Sequence, residues 1–491
     1  MGQALHIFGK DVDYLRREIL LIGALAAVMV FVLTRAPQKA VEPLWIEAII
    51  VIAASNLIAR VIHGEPIPGD RQFWITRPYR WKSLLASRLL FILGFVHAPV
   101  CAAHLICLFA GGFPLLHNLP GLLWSQILLF IWISLPVSAL ATLTSGTVPF
   151  LFSTLVVIGV GVGIQQLPAI EPGLGQWPGP IAWVRYAITG SALAGLAAVV
   201  VVLQYRRRMT QTNRVLAATA ACFLLALYLC LPWRFGFAVQ SGISAPFPGA
   251  EALKISLATP DPRVIRRFRP GLLSIDFPLS VSGLPEAADL RADAITISIH
   301  APGGRSWSAS AYEDAGFSVL RKADSDDRII RNSVLMDREF LRRERDHPIT
   351  LRGSIYLTIF GKPRTATLPR SNSPINVMDG LQCYTGANND VFCRTLFRWP
   401  DRLIAAKSGD GATNTFTRLL SYSPIPASIN IAPIETRWAS TEIPRPEQPN
   451  DAREVTIVSK EPLAHFRRDF EILNVDLRQY APADPEIPVR H

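Results

Sequence analysis

Several signatures that would announce chemistry are missing from this sequence. It has no GxxxxGK[ST] phosphate loop, no HExxH, no GxSxG, and no GxGxxG set between a strand and a helix. The one glycine-rich run, GVGVG at 159–163, sits inside an apolar stretch, where it reads as a packing feature. Nine histidines are scattered without the i, i+4 spacing of a metal pair. Asp324, Asp326 and Asp327 lack the glycine and terminal glutamate of an EF-hand loop, which leaves a solvated turn. No catalytic residue, metal ligand or cofactor of the chain's own is therefore expected. Charge is scarce as well. Only 18% of the 491 residues are Asp, Glu, Lys or Arg, against 50% hydrophobic.

The charges that exist are placed unevenly. The formal net charge of +11 would suit nucleic acid, but the N-terminal arginines flank hydrophobic runs and form no soluble basic face. Orientation in a membrane explains them, and no nucleic-acid partner is expected. Seven apolar stretches approach the ~20 residues needed to cross the hydrocarbon. They are Glu18–Thr34, Leu44–Ile62, about Leu89–Ala110, about Gly121–Leu143, Val148–Leu167, Ile181–Leu203 and Val215–Pro232. Arg16 and Arg17, the basic loop after the second stretch, and Arg206, Arg207, Arg208 and Arg214 alternate with loops devoid of Lys and Arg. Those loops are GGFPLLHNLP and PAIEPGLGQWPGP. The alternation puts the N-terminus in the cytoplasm and everything after Trp233 outside, with Arg35 and Lys39 the one mild dissent.

Before the first stretch, Leu5, Phe8, Val12 and Leu15 form an apolar stripe on a short helix suited to the membrane interface, residues 1–17. A cleaved signal peptide is not expected there. Within the stretches the polar residues are few: Glu47, His97, His104, Gln126 and Arg185. Ionisable groups in lipid are costly, so a transport reading seizes on them. The plainer reading has Glu47 and Arg185 reaching the headgroups and each histidine bonded to a neighbouring helix. Gly159, Gly161 and Gly163, with Gly190/Ala194 and Ser191/Gly195, permit close helix packing in a bundle or a dimer seam. Pro99 and Pro136 predict kinks in the third and fourth stretches.

The basic loop, His63 to Leu90, organises the rest. Asp70, Arg71, Phe73, Trp74, Arg77, Pro78, Arg80, Trp81 and Lys82 interleave charge with aromatic rings. Pro66 and Pro68 end what precedes, Gly69-Asp70 offers a cap for a short turn through Ile75, and Pro78 opens a helix running into the third stretch. FWITRPYRWKSLLASRLL resembles the first cytoplasmic loop of type-2 ATP-binding-cassette (ABC) exporter permeases, in which a TRP turn and a basic helix precede the third span. GKDVDYLRREILL is similar to the amphipathic helix such permeases place before their first span. The likeness covers roughly residues 1–210 and leaves out the C-terminal half. It implies a permease subunit without an ATPase of its own. ATP would be bound by a separate subunit docking on Asp70–Lys82, with a homo- or heterodimer of permeases as a further possibility, in a bacterial inner membrane.

From about Ala245 the pattern changes to period two. Ile275, Phe277, Leu279 and Val281 alternate with polar residues; Ile295/Ile297/Ile299, Ile355/Leu357/Ile359, Ile429/Ile431, Val455/Ile457 and Leu473/Val475/Leu477 follow. One helix is expected, Asp337–Asp346. The expected fold is thus an α-helical polytopic membrane bundle, 18–233, followed by an extracytoplasmic, mainly-β, sandwich-like region, 234–491, as one large sandwich or two small ones in tandem. Of six cysteines, Cys101, Cys107, Cys222 and Cys230 lie in apolar runs. Cys383 and Cys393 flank a turn-rich segment, so an exterior location favours a disulfide over free thiols. A rival reading of function makes the helices an anchor and the β half a binding or scaffold module without transport.

Overall fold

The computed structural model of the chain describes residues 2–35, 44–64, 80–170, 177, 181–259, 266–269, 272–285, 288–317, 319–321, 328–330, 332–369, 374–378, 381–385, 391–396, 403–407, 413–415, 417–418, 434–439 and 455–480. The helices are α1 (Gly2–Tyr14), α2 (Arg16–Arg35), α3 (Leu44–His63), α4 (Trp81–Ile92), α5 (Ala98–Ala110), α6 (Leu115–Leu129), α7 (Leu135–Leu143), α8 (Thr147–Ile170), α9 (Ala182–Arg207), α10 (Thr210–Cys230), α11 (Trp233–Ile243) and, within the β half, α12 (Arg338–Glu344).

Among the described residues six runs are long and apolar enough to cross a membrane: Arg16–Thr34, Trp45–His63, Trp81–Ala110, Asn118–Leu143, Trp183–Arg207 and Thr210–Cys230. The predicted seventh, Val148–Leu167, falls on α8, where the apolar stretch among the described residues, Thr147–Gly161, is shorter. Two of the six runs are compound. A π turn, Leu93–His97, joins α4 to α5, and a second, Phe130–Ser134, joins α6 to α7. Pro99 and Pro136 follow these turns at the same offset. A proline inside a helix removes a donor and strikes the carbonyl four residues back; a widened turn just before it relieves that clash. The kinks expected at the two prolines take this form.

One expectation is corrected and two gain detail. Part of the stripe on α1 packs on α4: Ala4, Ile7 and, just past the helix, Leu15 are buried, and Phe8 lies against Phe91 and Phe95 at 6.3 and 5.7 Å, while Leu5 is exposed. Burial of that face removes apolar surface from water. Glu47 and Arg185 do not reach out to the headgroups; they are 2% and 6% exposed. Among the described residues nothing lies within 4 Å of the Cβ positions of Gly159, Gly161, Gly163 or Gly195, while Gly190 admits the Trp132 ring, a close helix contact of the kind expected.

In the β half every pairing between described strands is antiparallel. Two separate cores form. The first gathers Phe277, Met336, Ile297, Leu357 and their neighbours, between a sheet ordered Pro462–Val475, Ile349–Phe360, Asp289–His300, Ser306–Phe317 and smaller sheets built on Leu279–Ser282 and Leu272–Asp276. The second gathers Leu368, Leu381, Cys383, Val391, Cys393, Val455 and Ile457. Its sheets run Arg364–Leu368, Val455–Lys460, Leu403–Lys407, Thr413–Thr415 and Ile375–Met378, Leu381–Thr385, Val391–Leu396, Ile434–Ala439, Thr417–Arg418.

The two units are not in simple tandem. The second is inserted between Ile349–Phe360 and Pro462–Val475, which pair directly with each other in the first. Closing a long loop costs entropy only logarithmically, so such an insertion is thermodynamically mild. The predicted strands at 295–299, 355–359 and 455–457 are present, while Ile429 and Ile431 lie outside the described residues. The predicted helix is α12, shorter than expected, with Asp337 as its cap accepting from the amides of Glu339 and Phe340 at 2.7 and 2.9 Å.

Cys383 and Cys393 stand directly opposite each other on paired strands and are joined by a disulfide, both fully buried in the second core. That core is small, and cross-linking typically contributes about 2–4 kcal/mol. Cys383→Ser with Cys393→Ser is expected to make the second unit sensitive to protease at a temperature where the first stays intact. Equal sensitivity of both units, or none, would contradict the separation of cores.

Candidate functional site

The predicted coupling residues Asp70, Arg71, Phe73, Trp74, Arg77 and Pro78 lie outside the described residues. Of that set, Arg80, Trp81 and Lys82 are described. Arg80 is the exposed residue preceding α4, Trp81 opens the helix, and the Lys82 ammonium lies 5.8 Å from the Trp81 ring. The helix runs from Trp81 through the π turn to Ala110, so no break separates this end from the span. Two turns further in, the Arg88 guanidinium, 2% exposed, bonds the Asp11 carboxylate of α1. A buried cation needs such a partner, because desolvation otherwise costs several kcal/mol. Asp11 and Arg88 thereby clamp α1 to the base of α4.

Other polar contacts collect at the same end of the bundle. Arg60, near the end of α3, pairs with Glu18 at the start of α2. The last carbonyls of α7 are capped from outside the helix. His63 Nε2 reaches the Ala141 carbonyl at 3.0 Å and the Thr144 hydroxyl at 3.1 Å, while Arg214 donates to the Leu143 carbonyl at 3.2 and 3.0 Å. Positive groups are favoured at a helix C-terminus, where orphan carbonyls concentrate negative potential. Arg206, Arg207 and Arg208 stand exposed where α9 turns to α10. This end therefore holds most of the basic residues of the helical half.

The bundle interior carries a second polar constellation, where the two π turns meet. His97, 6% exposed, places Nδ1 3.1 Å from Gln126 Oε1 and Nε2 3.0 Å from the Ser134 hydroxyl. Ser138 donates to the Ser134 carbonyl at 2.6 Å, and His104, two turns beyond His97, faces the Ser125 hydroxyl at 3.5 Å. His97 and His104 thus behave as the plainer reading expected, each bonded to the neighbouring helix. Ser134 and Ser138 were not legible as members, since serines in an apolar run carry no signal by themselves. Glu47 stands on the part of α3 whose Ile46 and Ile50 share a core with Val100, Ala103, Leu129 and Ile133.

At the opposite end the bundle meets the β half. The Asn376 amide lies 3.5 Å from the Gly112 carbonyl, and Gln382 donates to the Gly111 carbonyl. The buried Arg185 guanidinium is 4.1 Å from the Tyr228 ring and 5.6 Å from the rings of Trp177 and Tyr186, where π faces partner the cation. Gly236 of α11 gives the Trp177 ring its place; a Cβ there would lie 2.4 Å from Cζ3. Beside it Phe237 stacks on Tyr356 of the central strand at 4.2 Å.

Just past Tyr356 a bulge at Asp293 sets its carboxylate against Arg291 Nε at 2.7 Å and the Thr358 hydroxyl, which lies 2.8 Å from His465 Nδ1. Thr358 is fully buried, so this cluster is a braced polar joint and not an accessible nucleophile. Among the described residues no three of His, Cys, Asp or Glu group closely enough to hold a metal ion. No protein-family model, no curated protein and no solved structure matches the chain.

Proposed function

We propose that the chain is the membrane-spanning permease subunit of an ABC-type export system, powered by a separate ATP-binding subunit that docks on the cytoplasmic loop 63–88. The observation that carries this reading is the buried Asp11–Arg88 pair at the foot of an unbroken helix from Trp81 to Ala110. A push on the loop cannot be absorbed at that joint, because rotating α4 away from α1 would strand a charge in the apolar core. Closure of an ATPase dimer then tilts α1, α4 and α5 together and rocks the bundle between inward and outward access. The reading sets the N-terminus in the cytoplasm of a bacterial cell and the β half, with its disulfide, outside. There the two β units receive, shield or hand on the exported molecule.

The alternative, a membrane-anchored binding or scaffold protein without transport, is separated by one experiment. The tagged chain is purified from its native membrane, as wild type and with Arg71, Trp74, Arg77 and Trp81 replaced by alanine. The expected result is a co-purifying ATPase with the wild type and its loss, by at least about tenfold, with the variant, an effect of about 1.4 kcal/mol in binding. An ATPase retained at wild-type level by the variant, or none with either protein, would overturn the permease reading.

A further inference from the structure

The geometry points to His97 as a proton-binding site half way through the membrane bundle, with the proton itself as ligand. Its basis is the pairing of the two π turns, and it stands whether or not an ATPase drives this chain.

Position comes first. His97 lies 16 residues after Trp81 and 13 before Ala110, roughly 24 and 20 Å along the helix at ~1.5 Å per residue. That is mid-depth. Gln126 and Ser134 straddle the middle of the partner run, α6 to α7. Ion and proton sites of membrane carriers gather at this depth, where helices depart from regular winding. Here both helices depart from it, side by side.

The partners fit the role. A neutral imidazole needs one donor and one acceptor; an imidazolium needs two acceptors. Gln126 Oε1 accepts from Nδ1–H in either state. The Ser134 hydroxyl donates to Nε2 when the ring is neutral, and by rotating about its C–O bond it accepts from Nε2–H when the ring is charged. His97 can therefore gain and lose a proton without losing a hydrogen bond. A purely structural histidine also needs two partners; what Ser134 adds is a hydroxyl able to reverse its role.

Charged and titratable groups on the surrounding elements are few. α3 carries Glu47, which is buried, with Arg60 and His63 in its last turn; α4 carries Lys82 in its first turn and Arg88, paired with Asp11; α5 carries Cys101, His104 and Cys107; α6 carries His117; α9 carries Arg185 within its aromatic rings, Tyr186 beside it, and Tyr205, Arg206 and Arg207 at its far end. α2 has Arg16, Arg17 and Glu18 in its first turn and Arg35 as its last residue, while α7 has no ionisable residue. The His104–Ser125 pair and the Gln126–His97–Ser134 set line the seam between the two compound helices.

The test is 15N NMR of histidine-labelled full-length protein in lipid nanodiscs, between about pH 8 and about pH 5. Because the chain carries nine histidines, the readout is the difference spectrum between wild type and variant. The signal lost in His97→Gln, and kept in His104→Gln, is expected to pass from the neutral to the doubly protonated signature. Gln126→Glu, which sets a carboxylate against Nδ1, is expected to raise the midpoint of that signal by at least about one pH unit, a tenfold gain in proton affinity. The inference is overturned if the signal lost in His97→Gln stays neutral throughout, or if Gln126→Glu leaves its midpoint where it was.

Discussion

Asp11→Ala is expected to destabilise the helical half by about 3–5 kcal/mol, because it leaves the Arg88 guanidinium buried with its carboxylate gone. Arg88→Met alone should cost less, since the partner it abandons is the more exposed of the two, 14% against 2%. Combining Asp11→Leu with Arg88→Met should recover much of the loss, as well-packed apolar replacements of buried ion pairs often do. Thermal unfolding of the four proteins in detergent measures this. Similar melting of Asp11→Ala and wild type would mean that the pair is not desolvated as described. The double variant also separates stability from coupling. It keeps a packed joint but lets α1 slide on α4, so under the proposed function it should hydrolyse ATP with its partner while exporting little.

How much of this was legible in sequence follows from the range of each signal. Apolar runs of about 20 residues and period-two alternation are local, so the bundle and most strands could be read directly. Pro99 and Pro136 announced kinks, but not that both would become π turns at one depth, because that depends on which helices become neighbours. The Asp11–Arg88 pair spans 77 positions, and nothing near Asp11 distinguishes it from Asp13, which is exposed. Glu47 and Arg185 looked like headgroup residues because their distance from a span end is visible, while the rings that close over Arg185 come from Trp177 and Tyr228. The insertion of one β unit into the other was hidden for the same reason. Period two fixes which face of a strand is apolar, and does not say which strand it will pair with.

Alternation also misread one end of the central strand, and that misreading locates the second large effect. Ile355, Leu357 and Ile359 were expected to be buried with their neighbours facing solvent. Instead Tyr356, Thr358 and Phe360 are buried too, at 4%, 0% and 0% exposure: α11 covers Tyr356, Asp293 and His465 bond Thr358, and the Arg291 guanidinium lies 5.3 Å from the Phe360 ring. Tyr356 is the keystone there: it stacks on Phe237 at 4.2 Å and meets the Trp233 ring edge-on at 5.3 Å. Removing a large buried ring costs about 3–5 kcal/mol in transfer and cavity terms. Since Leu357 and Ile359 point the other way, into the first β core, the loss from Tyr356→Ala should fall on the joint and spare the sheet. The expected outcome is rapid protease cleavage near Ser244 with the released β half still folded. Tyr356→Phe, which keeps the stack, should resist cleavage like the wild type. If both variants cut at the wild-type rate, the bundle and the sheet are not held through this ring. If Tyr356→Ala instead unfolds the β half outright, joint and core are one cooperative unit.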